Sequence, residues 1–315
     1  MTALLEVRNL SKDYPALDGK GVVRAVSNVS LMLDAGQTLG IVGESGCGKS
    51  TLARLIMRLI EPKSGEIFFK GQNLRSLPAS ELRRRRRDIQ MVFQDPYASL
   101  DPRMNVAAII SEPLDIHGIG SRGERKAKVL ELLDLVGLDR SAAAKYPHEF
   151  SGGQRQRIGI ARAIALEPKL VVLDEPVSAL DVSIQSQILN LLIDLKTRLG
   201  LTYIFISHDL AVVEHVSDNV AVMYLGQIVE YGKAAQVLHA PLHPYSQALV
   251  SAIPEIDSQK KKQRIVLTGD PPNPENIPPG CPFHPRCRHV MATCRQTPPE
   301  LRVTQDREVA CHLYS

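Results

Sequence analysis

The stretch Gly43-Glu44-Ser45-Gly46-Cys47-Gly48-Lys49-Ser50 fits the pattern G-x-x-x-x-G-K-[ST], and it sits where that pattern has meaning. A short apolar run, Leu39 to Val42, precedes it as a predicted strand. Leu52, Leu55, Ile56 and Leu59 follow at helical spacing. Glycines at these positions let backbone N–H groups converge on phosphate oxygens, and the start of the following helix adds a dipole that favours an anion. Lys49 is expected to reach the β- and γ-phosphates of a nucleotide and Ser50 to ligate Mg2+, with Thr51 beside it. A Gly-rich turn with a chance lysine is the bland alternative, and the flanking strand and helix argue against it. Cys47, inside the loop, reads as a small filler rather than a redox thiol.

Further along, Leu170-Val171-Val172-Leu173-Asp174-Glu175 is an apolar strand ending in two carboxylates. Adjacent strand residues point to opposite sides, so the pair can divide its tasks. Asp174 can hold Mg2+ through its water shell, and Glu175 can polarise an attacking water. Alone this motif is weak; with the loop it becomes specific. Ile89–Phe93, Tyr203–Ile206 and Val220–Tyr224 are further predicted strands. Gln154–Leu166 and the run Ile184, Ile188, Leu191, Leu192, Leu195, Leu199 are predicted helices. Residues 96–150 look helical and read as a subdomain inserted in an α/β domain.

Composition sets the outer limits. The chain has 315 residues and is 44% hydrophobic, enough to bury a large core in one domain or two. Lys and Arg total 38 against 34 Asp and Glu, a net charge of +4 that excludes both an acidic disordered chain and a nucleic-acid binder driven by bulk charge. Glu6 and Arg8 interrupt any apolar leader, so no secretion signal is expected. The longest stretch free of charged residues, Ala234 to Pro254, holds three prolines and two histidines and cannot span a membrane. No internal repeat is visible, which excludes a tandem duplication. Arg83 to Arg87 is a run of five arginines. Such a run suggests nucleic acid or anionic lipid, but without interleaved aromatics a solvated helix face fits better.

Twelve of the 21 prolines and four of the five cysteines lie from residue 240 onward, which places a boundary near residues 233–245. The expected division is an α/β domain over residues 1–235, with its helical subdomain at about 96–158, and an extension over 236–315.

Several ordered motifs resemble those of ABC-transporter ATPases. Phe150-Ser151-Gly152-Gly153-Gln154 is similar to that family's signature sequence, and it follows the inserted helical segment as the signature does. Tyr14 resembles the aromatic that stacks on adenine, and Gln94 the glutamine-loop residue that contacts Mg2+ and water. Ser178-Ala179-Leu180-Asp181 resembles the D-loop, and His208 the switch histidine at the γ-phosphate. Phe150 stands where Leu is usual and Val177 where Thr is usual; neither removes a hydrogen-bonding group from the phosphates. The resemblance implies a RecA-like core, an antiparallel β subdomain and the helical subdomain. It also implies that ATP is sandwiched between the loop of one chain and Ser151, Gly152, Gly153, Gln154 and Asp181 of a partner. A plain helix N-cap at Ser151 is the alternative to that anion role.

The tail narrows the resemblance. His243-Pro244-Tyr245, Thr268-Gly269-Asp270-Pro271-Pro272 and Gly280-Cys281-Pro282-Phe283-His284-Pro285-Arg286-Cys287 resemble the extension of oligopeptide/dipeptide importer ATPases, most of all the second subunit of a heterodimeric pair. That implies a second, related ATPase subunit, two transmembrane permease subunits, an extracytoplasmic peptide-binding protein, and a peripheral place on the cytoplasmic face of a bacterial inner membrane. No nucleic-acid partner is expected. Cys281, Cys287, Cys294 and Cys311 are spaced C-x5-C-x6-C-x16-C. Clustered cytosolic cysteines favour a metal over disulfides, so a four-thiolate cluster, zinc or free thiols remain open from spacing. The resemblance implies a [4Fe–4S] cluster, clamping a Pro-rich tail. A soluble ABC-type ATPase acting on DNA or ribosomes is the alternative function, and it usually carries two such domains or a long coiled coil. An exporter ATPase is commonly fused to membrane spans or lacks this tail. Nucleotide kinases and GTPases need neither the signature nor the D-loop.

Overall fold

The computed structural model describes residues 3–16, 21–253 and 264–314. In chain order the elements begin with β1 (Leu5–Pro15), β2 (Val22–Leu33), β3 (Thr38–Val42), α1 (Lys49–Ile56), β4 (Ser64–Phe69), β5 (Gln72–Asn73), α2 (Ala79–Arg85) and β6 (Ile89–Val92). Next come α3 (Val106–Ile116), α4 (Arg122–Leu135), α5 (Gly152–Ile164), β7 (Leu170–Asp174), α6 (Val182–Leu199) and β8 (Thr202–Ile206). The chain continues through α7 (Leu210–Val216), β9 (Asn219–Tyr224), β10 (Gln227–Lys233), α8 (Ala234–His239) and α9 (Pro244–Ser251) to β11 (Arg302–Thr304) and β12 (Arg307–Val309). Among the described residues no helix is long and apolar enough to cross a membrane.

The backbone divides into two compact units. The first takes in residues 1–34, 38–75 and 206–315. It holds an antiparallel sheet in the order β2-β1-β4-β5, and a second set of strands in the order β11-β12-β10-β9-β3. β3 and β9 run parallel, with Val42 opposite Val222, and every residue of β3 is buried. Parallel strands covered on both faces read as continuous apolar runs, so Leu39 to Val42 was legible in sequence. β1 and β2 alternate less cleanly. Their register shifts around Asn9 and Asn28, both at positive φ, where each backbone N–H is held by a hydroxyl, Ser30 and Ser11 respectively.

The described part of the Pro-rich tail is folded onto the first unit. β12 pairs antiparallel with β10, with Val309 opposite Glu230, and folds back on β11 through Gln305 and Asp306, both at positive φ. That is the two-residue turn whose twist matches a hairpin. Phe283 is buried against Tyr224, Tyr245 and His243, with ring centroids 5.3, 5.5 and 5.6 Å away.

The second unit comprises residues 35–37 and 76–205. Its strands lie in the order β8-β7-β6, with Val92 of β6 parallel and opposite Leu173 of β7. α3, α4 and α5 pack on one another through Ile109, Ile110, Val129, Leu132, Leu133 and Ile158, all buried. The expected helical insertion is therefore present, and no described residue between 96 and 150 is in a strand. Its helices start on side-chain caps, Asn105 for α3 and a Ser121/Glu124 capping box for α4. The arginine run closes α2 and the turn after it. Arg84 lies 3.9 Å from Glu81 and Arg85 3.9 Å from Asp88, as on a solvated helix face.

Candidate functional site

The loop follows β3 without a spare residue, and its glycines are required by close approaches. Gly43 has φ +153°, and a Cβ there would lie 2.1 Å from the carbonyl oxygen of Met223. Gly48 has φ +103°, and its Cβ would lie 2.1 Å from the carbonyl oxygen of Ala25. Neither space nor dihedral tolerates another residue type. Gly48 also starts α1, accepting the N–H of Leu52 at 2.9 Å, so the first-turn N–H groups of Lys49, Ser50 and Thr51 face outward from the helix start. Lys49 is buried, and its ammonium donates to the carbonyls of Gly43 (2.8 Å) and Glu44 (2.9 Å). A buried cation beside converging N–H groups, in a cradle that a single Cβ would fill, fits a phosphate chain. Ser45 and Gly46 are exposed at the crest. Burial raises the thiol pKa of Cys47, which keeps it a neutral packing group as expected.

Tyr14 lies near the end of β1 opposite Val23, half-buried, with the Lys12 ammonium 5.3 Å above its ring. His208 is exposed on the turn between β8 and α7. That turn is tightly specified. Ser207 Oγ accepts the N–H of Asp209 at 3.0 Å, and the Asp209 carboxylate accepts the N–H groups of Ala211 (2.9 Å) and Val212 (3.4 Å) to cap α7.

In the second unit the remaining residues gather around the end of β7. Asp174 is buried as the last residue of the strand. Glu175 follows with φ +47°, a left-handed turn that bends the chain directly after the strand. Gln94 donates from Nε2 to Glu175 Oε2 at 3.0 Å, so residues 81 positions apart in sequence meet through the amide and the carboxylate. Ser178 Oγ donates to the Glu175 carbonyl at 3.1 Å. Gln185 braces residues 177–180 by donating to the carbonyls of Val177 and Leu180, both at 3.0 Å, and Asp181 precedes α6.

The signature segment forms a capping box. Ser151 Oγ accepts the Gln154 N–H at 3.4 Å, and Gln154 Oε1 accepts the Ser151 N–H at 3.0 Å. The N-cap reading of Ser151 is thus present in the fold. It is compatible with an anion role, because the cap leaves the N–H groups of Gly152 and Gly153 at the helix start. A Cβ at Gly153 would lie 2.4 Å from Ile184 Cγ2, so close packing on α6 also requires glycine there.

The cysteine expectation needs correction. Cys281, Cys287, Cys294 and Cys311 form no disulfide, and among the described residues no group of three or more His, Cys, Asp or Glu side chains is placed to hold a metal ion. Neither the [4Fe–4S] cluster nor zinc fits this arrangement. Burial pushes the Cys281 thiol up to about 11 and raises those of Cys287 and Cys311, as for neutral packing groups. The sulfurs of Cys287 and Cys294 instead accept the N–H groups of His289 (3.4 Å) and Met291 (3.5 Å), and the Cys281 N–H donates to the Cys294 carbonyl at 2.8 Å. The tail is clamped by packing, backbone hydrogen bonds and β-pairing.

Comparison with known proteins places the chain. The model of the ABC transporter family matches residues 26–178, and that of the oligopeptide/dipeptide transporter C-terminal region matches residues 229–294. The oligopeptide transport ATP-binding protein AppF of Bacillus subtilis is 52% identical over 99% of this chain and 98% of its own length. The chain belongs to the oligopeptide/dipeptide ABC-transporter ATPases. Within this family, the di/tripeptide transport ATP-binding protein DppF of Pseudomonas aeruginosa is 49% identical over 99% of this chain and 98% of its own. Among solved structures, the dimeric post-hydrolysis state of the ATP-binding cassette MJ0796 bound to ADP and Pi matches with TM-score 0.66. It is 32% identical and covers 73% of this chain and 98% of that one. The ABC ATPase fold and ATP hydrolysis follow from this membership. The alternative of an ATPase acting on DNA or ribosomes finds no support in these relatives.

Sequence reasoning missed two tail residues that meet the loop. Arg286 and Tyr245 both contact Glu44, and no local pattern announces contacts across 242 and 201 positions.

Proposed function

We propose that this chain powers the import of di- and oligopeptides across a bacterial inner membrane, as one ATPase of a heterodimeric pair. Its partners are a second, related ATPase subunit, two transmembrane permease subunits and, through the complex, an extracytoplasmic peptide-binding protein. It sits peripherally on the cytoplasmic face. Residues 1–235 form the ATPase domain, with the helical subdomain at about 96–158, and residues 236–315 form the family's extension. The observation that carries this reading is the pairing of one phosphate loop and one signature segment with a tail matched by the oligopeptide/dipeptide family model.

In this role the first-turn N–H groups of α1 and the Lys49 ammonium bind the phosphate chain, across the loop Gly43-Glu44-Ser45-Gly46-Cys47-Gly48. Tyr14 presents its ring to adenine. Ser50, Gln94 and Asp174 are the oxygen-bearing side chains that would hold Mg2+, which neutralises charge on the β- and γ-phosphates when bound. Glu175 orients the attacking water and takes its proton, with Gln94 holding the carboxylate by its amide. His208 donates to the γ-phosphate from its turn. Ser151, Gly152, Gly153, Gln154 and Asp181 serve the nucleotide held by the partner subunit. One loop and one signature on one chain require a partner to build a complete site, so the isolated chain should be a poor ATPase.

Purification of the chain with its permeases and binding protein, followed by mass spectrometry of bound cargo, tests the proposal. Peptides in the binding protein and ATPase activity that rises on their addition are expected. A non-peptide cargo, or strong cooperative hydrolysis by a homodimer of this chain, would contradict the respective part.

A further inference from the structure

Glu44 occupies a position in the loop pattern where any residue is allowed, yet every polar group it owns is engaged. Its carboxylate receives the Arg286 guanidinium as a fork, Nη1 to Oε2 at 2.9 Å and Nη2 to Oε1 at 3.1 Å. Its backbone N–H donates to the Tyr245 hydroxyl at 2.9 Å. Its carbonyl accepts the Lys49 ammonium at 2.9 Å and the Cys47 N–H at 3.3 Å. Arg286, Glu44 and Lys49 are therefore joined in one continuous set of hydrogen bonds.

The tail side of this set is rigid. The Arg286 side chain is 7% exposed and that of Glu44 26%, so the fork is largely shielded from solvent. Arg286 ends a 3-10 turn, His284–Arg286, whose N–H returns to the Phe283 carbonyl at 3.0 Å. Phe283 is in turn fixed edge-on against Tyr224, and Tyr245 is fully buried at the start of α9. A bidentate arginine on a packed turn holds a carboxylate in one place, which a single flexible cation would not do.

We infer that Arg286 and Tyr245 of the tail are positioning residues for the phosphate loop, acting through Glu44 to hold Lys49 and the loop N–H groups in the arrangement that takes a nucleoside triphosphate. The inference rests on the reading of the loop as the nucleotide site. It gives the extension a task in nucleotide affinity rather than in cargo. Coupling of this kind is reciprocal, so nucleotide also tightens the tail.

The test uses the full chain, a fluorescent trinitrophenyl-ATP titration and limited proteolysis of the tail. Arg286→Ala weakens binding about fivefold to tenfold, and Arg286→Lys recovers part of it. Glu44→Gln weakens binding to a similar extent. The double variant Arg286→Ala/Glu44→Gln is no weaker than either single one, because both break the same contact. In the assembled complex the Arg286→Ala effect falls on KM, with kcat changed less than twofold. Saturating ATP protects the wild-type tail from protease more than it protects the Arg286→Ala tail. Arg302→Ala, on exposed β11, leaves affinity unchanged.

Arg286→Ala with wild-type affinity overturns the inference, and so do strictly additive losses in the double variant. If Arg286→Ala undocks the tail altogether, Glu44→Gln decides, since it leaves Arg286, Phe283 and Tyr245 in place: wild-type affinity there overturns the inference and reduced affinity supports it. A wild-type chain that binds no nucleotide would instead sink the reading of the loop itself.

Discussion

Arg307→Met should destabilise the first unit by about 3 kcal/mol, because it strands a buried carboxylate. The Glu230 side chain is 0% exposed and that of Arg307 6%. Arg307 Nη1 lies 3.4 Å from Glu230 Oε1 and donates to the carbonyls of Gln236 (2.8 Å) and Ala240 (2.7 Å) at the end of α8. Glu230 also accepts the N–H groups of Leu242 and His243, both at 2.9 Å. Removing one partner of a buried pair costs about 3–5 kcal/mol. Those two N–H donors survive the substitution and keep the loss near the lower bound. For a unit of this size about 3 kcal/mol corresponds to a fall in Tm of about 6–12 °C. Calorimetry of the full chain, with proteolysis after Lys233 as a local readout, measures it. Arg307→Met/Glu230→Gln should recover most of the loss, since the stranded charge is gone. A single variant within about 1 kcal/mol of wild type, or a double variant worse than the single, would exclude a stranded carboxylate as the source of the loss.

His243 gives a pH signature. Burial holds its imidazole down to about 3, while its Nδ1 accepts the Tyr245 N–H at 3.0 Å. The unfolded chain takes up a proton below about pH 6.5 that the fold refuses, so stability is complete above that pH and falls towards pH 3, by about 2 kcal/mol at pH 5. His243→Asn, which keeps a cap acceptor, should remove that part of the slope in urea titrations at pH 5 and 7; an unchanged slope would contradict the assignment. Lys49→Ala should lose nucleotide binding in the trinitrophenyl-ATP titration while retaining the wild-type far-UV spectrum, and binding within twofold of wild type would contradict the cradle.

The parts of the fold that were legible are those with one-dimensional signals. β3 and β7 are buried on both faces and so read as apolar runs, and the helix after the loop repeats its leucines at turn spacing. The loop was legible because its glycines answer to specific backbone approaches, at Met223 and Ala25, that no other residue permits. The individual strands β1 and β2 were not, because bulges at Asn9 and Asn28 break their alternation. Spacing misled at the cysteines. It reports how far apart thiols lie along the chain, whereas a metal needs several ligands facing one point, and among the described residues no such group is present. Contacts such as Glu44 with Arg286 depend on the tail folding back, and pattern carries no trace of that.

In the proposed mechanism Glu175, held by the Gln94 amide, is the carboxylate that activates water at a site completed by a partner subunit. ATP turnover by the assembled complex carrying Glu175→Gln, measured beside nucleotide affinity, tests it most directly. Hydrolysis should fall at least 100-fold, within the range expected for loss of a general base, with affinity held within a few-fold. Hydrolysis at the wild-type rate would exclude Glu175 as the general base.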